Sequence, residues 1–253
     1  MPYPDPHGFT YEDVGTLRIV DIVDHLPVHA TKTFGKRHDW AIRKILVHHH
    51  AGAAKGTEKR ETSGNYVGVP KSCVQTAKFF TDPDDPEKEG TQGKNWPGYA
   101  YHHDIGYHED VEAGRDIIFR TQAPNVNSHH TGAGQNEMGI SISHFGSLRE
   151  QVNLTGQYNA PNDGKPSDFQ KRCFPVVVDH LQSKYKVSDL HVQGHFQHKK
   201  PACPGWDTEF WIMHREERPR RSKTAFAWPI TLKGDYKPVF LEGVASKDLS
   251  TAK

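Results

Sequence analysis

Short apolar runs separated by long polar stretches set the pattern of this chain. Ile45-Leu46-Val47 is a buried-strand signal that runs straight into His48, His49 and His50 before Ala51-Gly52 breaks it. Residues 138–144 alternate apolar with small polar side chains, the period-2 signature of a half-covered strand. Residues 99–107 and 116–120 also have strand composition, and the polar turn at 109–114 between them predicts a hairpin. Leu190-His191-Val192 is a further short strand leading into Gly194-His195. Helical spacing appears over residues 168–187, where Phe169, Cys173, Val176, Val177, His180 and Leu181 form a stripe that Ser167 or Asp168 can cap. Residues 72–80 predict a shorter helix, and residues 207–214 another, cut off before Pro219. Strands and helices alternating irregularly predict an α/β (α+β) fold, a central mixed β-sheet flanked by helices.

Residues 1–40 read as a wrapping segment, with regular structure starting at Ile42; residues 41–216 form the domain body and 217–253 an extension of unknown role. The polar stretches 53–71 and 81–97 are loops of uncommon length, which in compact domains tend to carry function. Lys and Arg number 32 against 31 Asp and Glu, a net charge of +1, so a nucleic-acid partner is disfavoured. No stretch approaches the roughly 20 apolar residues of a membrane-spanning helix, so no membrane insertion is expected. The N-terminus has neither a basic leader nor an apolar core, which predicts synthesis in the cytoplasm without a signal peptide. Three cysteines are too few and too scattered for a disulfide framework; Cys73 and Cys173 sit in apolar helical contexts and read as small core residues.

Eighteen histidines in clusters point toward metal chemistry. The strand-end residues His48 and His195, with Cys203 eight residues beyond the latter, offer two imidazoles and one thiolate, the three-ligand set of a catalytic zinc with a fourth position open. Gly194, Pro204 and Gly205 bracket the last two where the backbone must turn sharply. His49 and His50 cannot both join His48 on one ion, because neighbours in a strand point to opposite faces. His25, His38, His144 and His180 read as hydrogen-bonded structural histidines.

Val47-His48-His49-His50-Ala51-Gly52, Tyr101-His102, Ser128-His129, Met138-Gly139-Ile140, and Gly194-His195 followed by Ala202-Cys203-Pro204-Gly205-Trp206 together resemble the motifs of the type 2 N-acetylmuramoyl-L-alanine amidases, a family that includes phage endolysins and peptidoglycan recognition proteins. The resemblance spans about residues 18–214, taking in Leu26-Pro27 and Arg37. It implies a mixed sheet with flanking helices and zinc at the floor of a surface groove, held by His48, His195 and Cys203. It also implies that Tyr101 lies beside the scissile carbonyl and that His129 lines the cleft. Two departures stand out. Pro201 occupies the place of a Lys or Thr found two residues before the ligand cysteine in many members, leaving Lys200 or Lys199 to take over. Ser141 stands where another branch has a general-base Glu, which favours the Tyr-type arrangement.

In function, the resemblance implies a monomeric zinc hydrolase acting on peptidoglycan, cutting the amide between N-acetylmuramic acid and the L-alanine of the stem peptide, as a phage endolysin. His129, Tyr101 and Lys200 are each candidates to protonate the leaving amine. A non-catalytic peptidoglycan receptor and a cytoplasmic muropeptide-recycling amidase are the alternatives.

Overall fold

A computed structural model describes residues 8–50, 60–61, 69–83, 93–107, 109, 111–112, 114–132, 134–146, 166–198 and 203–213. In chain order its elements are β1 (Thr10–Val14), β2 (Leu17–Asp21), β3 (Lys44–His49), β4 (Arg60–Glu61), β5 (Val69–Pro70), α1 (Lys71–Thr81), β6 (His103–Ile105), β7 (Val111–Glu112), β8 (Arg115–Arg120), β9 (Gly139–His144), α2 (Asp168–Tyr185), β10 (Val192–Gly194) and α3 (Trp206–Met213). The main sheet runs β1-β2-β8-β6-β9-β3-β10, with β7 hairpinned onto β8. The β2–β8, β6–β9, β9–β3 and β3–β10 pairs are parallel, whereas β1–β2 and β6–β8 are antiparallel. The mixed sheet with flanking helices that the sequence predicts is therefore present.

Three local expectations are corrected. Among the described residues regular structure begins at Thr10, not Ile42, because Leu17, Ile19 and Val20 find covering partners and β2 pairs in parallel with β8 from Leu17↔Asp116 to Asp21↔Arg120. The predicted antiparallel pairing of the 99–107 and 116–120 stretches is present as β6–β8, but the first forms a strand only over His103–Ile105, and β8 also pairs with β7. And β9 is buried at every position rather than half-covered. Lying between parallel neighbours, it is covered on both faces, as central parallel strands usually are. Its polar Ser141 is accommodated by hydrogen bonding, its Oγ lying 2.8 Å from His102 Nδ1 and accepting the His102 N–H at 3.1 Å.

Helix α2 covers one face of the sheet. It opens with a capping box in which the Gln170 N–H donates to Ser167 Oγ at 3.2 Å and the Ser167 N–H donates to Gln170 Oε1 at 3.1 Å. Phe169, Cys173, Phe174, Val177, Val178 and Leu181 are buried from it against Ile45, Val47, Ile105, Ile118, Ile140 and Ile142. Trp211 of α3 completes this layer, its ring 4.5 Å from that of Phe174. On the other face Cys73, Ala77 and Phe80 of α1 pack with Tyr99, Phe119 and Phe145. His144 departs from the hydrogen-bonded role expected of it: it is fully buried with neither ring nitrogen hydrogen-bonded, edge-on to Phe174 at 4.8 Å. His180 lies 3.3 Å from Glu12, His25 meets Phe9 edge-on, and His38 stacks on exposed Trp40. Among the described residues no helix is long and apolar enough to cross a membrane. The 217–253 extension lies outside the described residues.

Candidate metal centre

Parallel pairing of β3 with β10 sets Gly194 opposite Val47, so the next residues along, His48 and His195, arrive side by side at the same end of the sheet. Their Nδ1 atoms are 3.1 Å apart. Cys203 Sγ lies 4.0 Å from His48 Nδ1, and the three donor atoms all fall within 4.8 Å of one another. The cysteine is brought back by a Phe196 N–H donating to its carbonyl at 2.6 Å, and its sulfur accepts the His49 N–H at 3.4 Å. Only glycine fits at 194: a Cβ there would stand 2.4 Å from the Phe196 ring and 3.0 Å from Pro204 Cδ.

The donor set suits zinc. Tetrahedral Zn–N and Zn–S bonds put two nitrogens and a sulfur about 3.3 to 3.6 Å apart, and the observed 3.1 and 4.0 Å lie on either side of that span. Burial, followed by the neighbouring histidines His130 and His195, holds the His48 pKa well below its usual range. Its imidazole is neutral at pH 7, with a lone pair to give.

Tyr101 stands beside this group, its ring 5.1 Å from that of His48 and 5.0 Å from that of His50. Burial first, then Cys203 and Asp104, push the phenol pKa well upward, so the hydroxyl keeps its proton. His129 is exposed on the wall of a groove of about 740 Å³, edge-on to Phe34 at 5.1 Å and Trp96 at 5.6 Å. Lys94, Asn127 and Glu137 line the same groove, and of the donor group His195 reaches it while His48 and Cys203 lie buried behind. Lys199, Lys200 and Pro201 lie outside the described residues.

Sequence reasoning missed two features. His130 is buried against the His48 ring at 5.3 Å, and burial pushes its pKa down to about 3, keeping it neutral. His129 and His130 lie in an irregular segment, where no strand alternation announces which of the two turns inward. The second is buried Asp104, which accepts a short hydrogen bond from the Tyr99 hydroxyl and lies 3.3 Å from His50 Nε2. His50 in turn stacks on Phe145 at 4.2 Å. Tyr99 and His50 both pack around Tyr101, so this carboxylate braces the tyrosine from behind.

No protein-family model matches the chain, and no curated protein matches it. Solved structures do. Peptidoglycan recognition protein SD of Drosophila aligns over 83% of this chain and 99% of its own, with a TM-score of 0.53 and 11% identity. Peptidoglycan recognition protein LE, solved in complex with tracheal cytotoxin, a monomeric diaminopimelic acid-type peptidoglycan, aligns over 79% and 94% with a TM-score of 0.52 and 14% identity. The endolysin N-acetylmuramoyl-L-alanine amidase LysCS of Clostridium intestinale URNW aligns over 77% and 96%, with a TM-score of 0.44 and 16% identity. The architecture is the fold of the peptidoglycan recognition proteins. At such low identity the likeness to the recognition proteins is one of fold, and the chemistry is argued from this chain's own side chains.

Proposed function

We propose that the protein is a zinc-dependent peptidoglycan hydrolase that cleaves the amide between N-acetylmuramic acid and the L-alanine of the stem peptide, acting on the bacterial cell wall as a phage endolysin. The observation that carries the reading is the convergence of His48, His195 and Cys203 at a groove. The fold shared with a recognition protein solved with a peptidoglycan fragment supports peptidoglycan as the ligand.

His48, His195 and Cys203 would hold the metal; when bound, zinc supplies a Lewis acid for the amide carbonyl and lowers the pKa of water toward about 7. Tyr101, kept protonated, donates a hydrogen bond to the oxygen that gains charge; losing one such donor costs about 10² to 10³ in kcat. His130 stays neutral and shields His48 from water. His129 presents an exposed imidazole on the groove wall, available to hand a proton to the leaving amine. A complete ligand set including the thiolate favours an enzyme over a non-catalytic receptor.

The test is product chemistry on intact sacculi, alongside metal analysis. Digestion is expected to release new L-alanine amino termini without new reducing sugar ends, and His195→Ala and Cys203→Ser to lose both zinc and this activity. New reducing ends, or zinc at full occupancy in both variants, would overturn the assignment. Muropeptide binding with no zinc in the pure protein would establish the receptor reading instead.

A further inference from the structure

His48 has two ring nitrogens, and the structure uses them differently. Nδ1 faces His195 and Cys203, whereas Nε2 lies 3.3 Å from Thr131 Oγ1. A neutral imidazole that offers its Nδ1 lone pair carries its proton on Nε2, so His48 donates to the threonine hydroxyl. That hydroxyl has its own proton left to give, and His130 Nδ1 is 2.8 Å away. The run of donors therefore has one direction, from His48 through Thr131 to His130.

Thr131 is itself held firmly. Asn136 Oδ1 accepts the backbone N–H of Thr131 at 2.9 Å and of Gly132 at 3.1 Å. Arg37 fastens the same turn to the sheet, donating from one guanidinium nitrogen to the carbonyls of Asn136 and Gly139, both at 2.7 Å. The turn that carries the hydroxyl is thus tied to the protein on both sides, and the hydroxyl meets His48 from a fixed position.

We propose that Thr131 is the positioning residue that locks His48 in the tautomer and ring orientation that present Nδ1 to zinc. The inference rests on His48 being a zinc ligand, as the proposed function has it. Partners of this kind, hydrogen-bonded to the far side of a metal ligand, typically contribute about 10- to 100-fold to metal affinity.

Zinc dissociation constants measured by competition with a chromophoric chelator test this for the full chain, Thr131→Val and Thr131→Ser, beside the melting temperature of each zinc-free protein. The valine variant, similar in shape but without the hydroxyl, is expected to bind zinc about 10- to 100-fold more weakly, with the serine variant restoring most of that loss. Equal affinity of wild type and Thr131→Val overturns the inference and leaves the ligand assignment standing. A wild-type protein that binds no stoichiometric zinc overturns the ligand assignment, and the inference with it. Should Thr131→Val fail to fold, nitrogen-15 NMR of the zinc-loaded wild type decides: a His48 Nε2–H protected from solvent exchange by a hydrogen bond supports the proposal, and one that exchanges as an unbonded N–H overturns it.

Discussion

Replacing His144 with leucine should make the fold less sensitive to acid. The wild-type ring is fully buried at the end of β9, and burial, reinforced by His49 and His50, pushes its pKa from 6.5 down to about 3. In the unfolded chain the same group titrates near 6.5. Below that pH the unfolded state takes up a proton that the folded state refuses, so stability is fully present above pH 6.5 and is lost as the pH falls toward 3. Each pH unit well inside this window costs about 1.4 kcal/mol, so moving from pH 7 to pH 5 removes about 2 kcal/mol through this one side chain. Because neither ring nitrogen is hydrogen-bonded, leucine forfeits no hydrogen bond and should be tolerated at pH 7. Urea unfolding at pH 7 and pH 5, with a chelator present throughout so that metal release does not enter, gives the comparison. The loss of stability between the two pH values should be about 2 kcal/mol smaller in His144→Leu than in wild type. Equal losses would refute the reasoning.

Substitutions at two further positions probe how the site is braced. Arg37 donates to the carbonyls of Pro124, Asn136 and Gly139 and lies 3.1 Å from His102 Nε2, so Arg37→Ala should cost about 3 kcal/mol in urea unfolding, with Arg37→Lys recovering less than half for want of the planar fork. A loss below about 0.5 kcal/mol, the range of an ordinary surface change, would show that these bonds are replaced by water. Gly139→Ala places a Cβ 2.3 Å from Leu46 Cδ1 and 2.8 Å from the Gln135 carbonyl, an overpacking expected to cost about 1 to 3 kcal/mol and lower the melting temperature. An unchanged melting temperature would mean that the start of β9 can shift.

How much was legible in the sequence depended on whether the information was local. Strand β3 was plain because Ile45, Leu46 and Val47 are uniformly apolar and covered on both faces. Strand β9 misled because Ser141 and Ser143 are polar in composition yet wholly buried, which period-2 reasoning converts into solvent exposure. β1 and β2 escaped notice because the partner that makes β2 a strand, β8, lies about a hundred residues away. At the candidate metal centre His195 and Cys203 could be paired by their spacing, and His48 by its place at a strand end, since strand register carries side chains predictably to one edge. Thr131 had no such signal. Its hydroxyl matters only because Asn136 and Arg37 fold the turn over His48, and nothing about a threonine beside a glycine announces that.

The separation of the three proposed ligands in the sequence has a consequence for how the protein is made. His48 precedes His195 by 147 positions and Cys203 by 155. At roughly 5 to 20 residues per second, the ribosome needs on the order of 8 to 30 s between the first of these side chains and the last. Throughout that interval the nascent chain carries the histidine triplet without the thiolate. On the proposed assignment the ligand set is incomplete until residue 203 has emerged, and a prematurely released fragment ending before it holds at most two of the three donors.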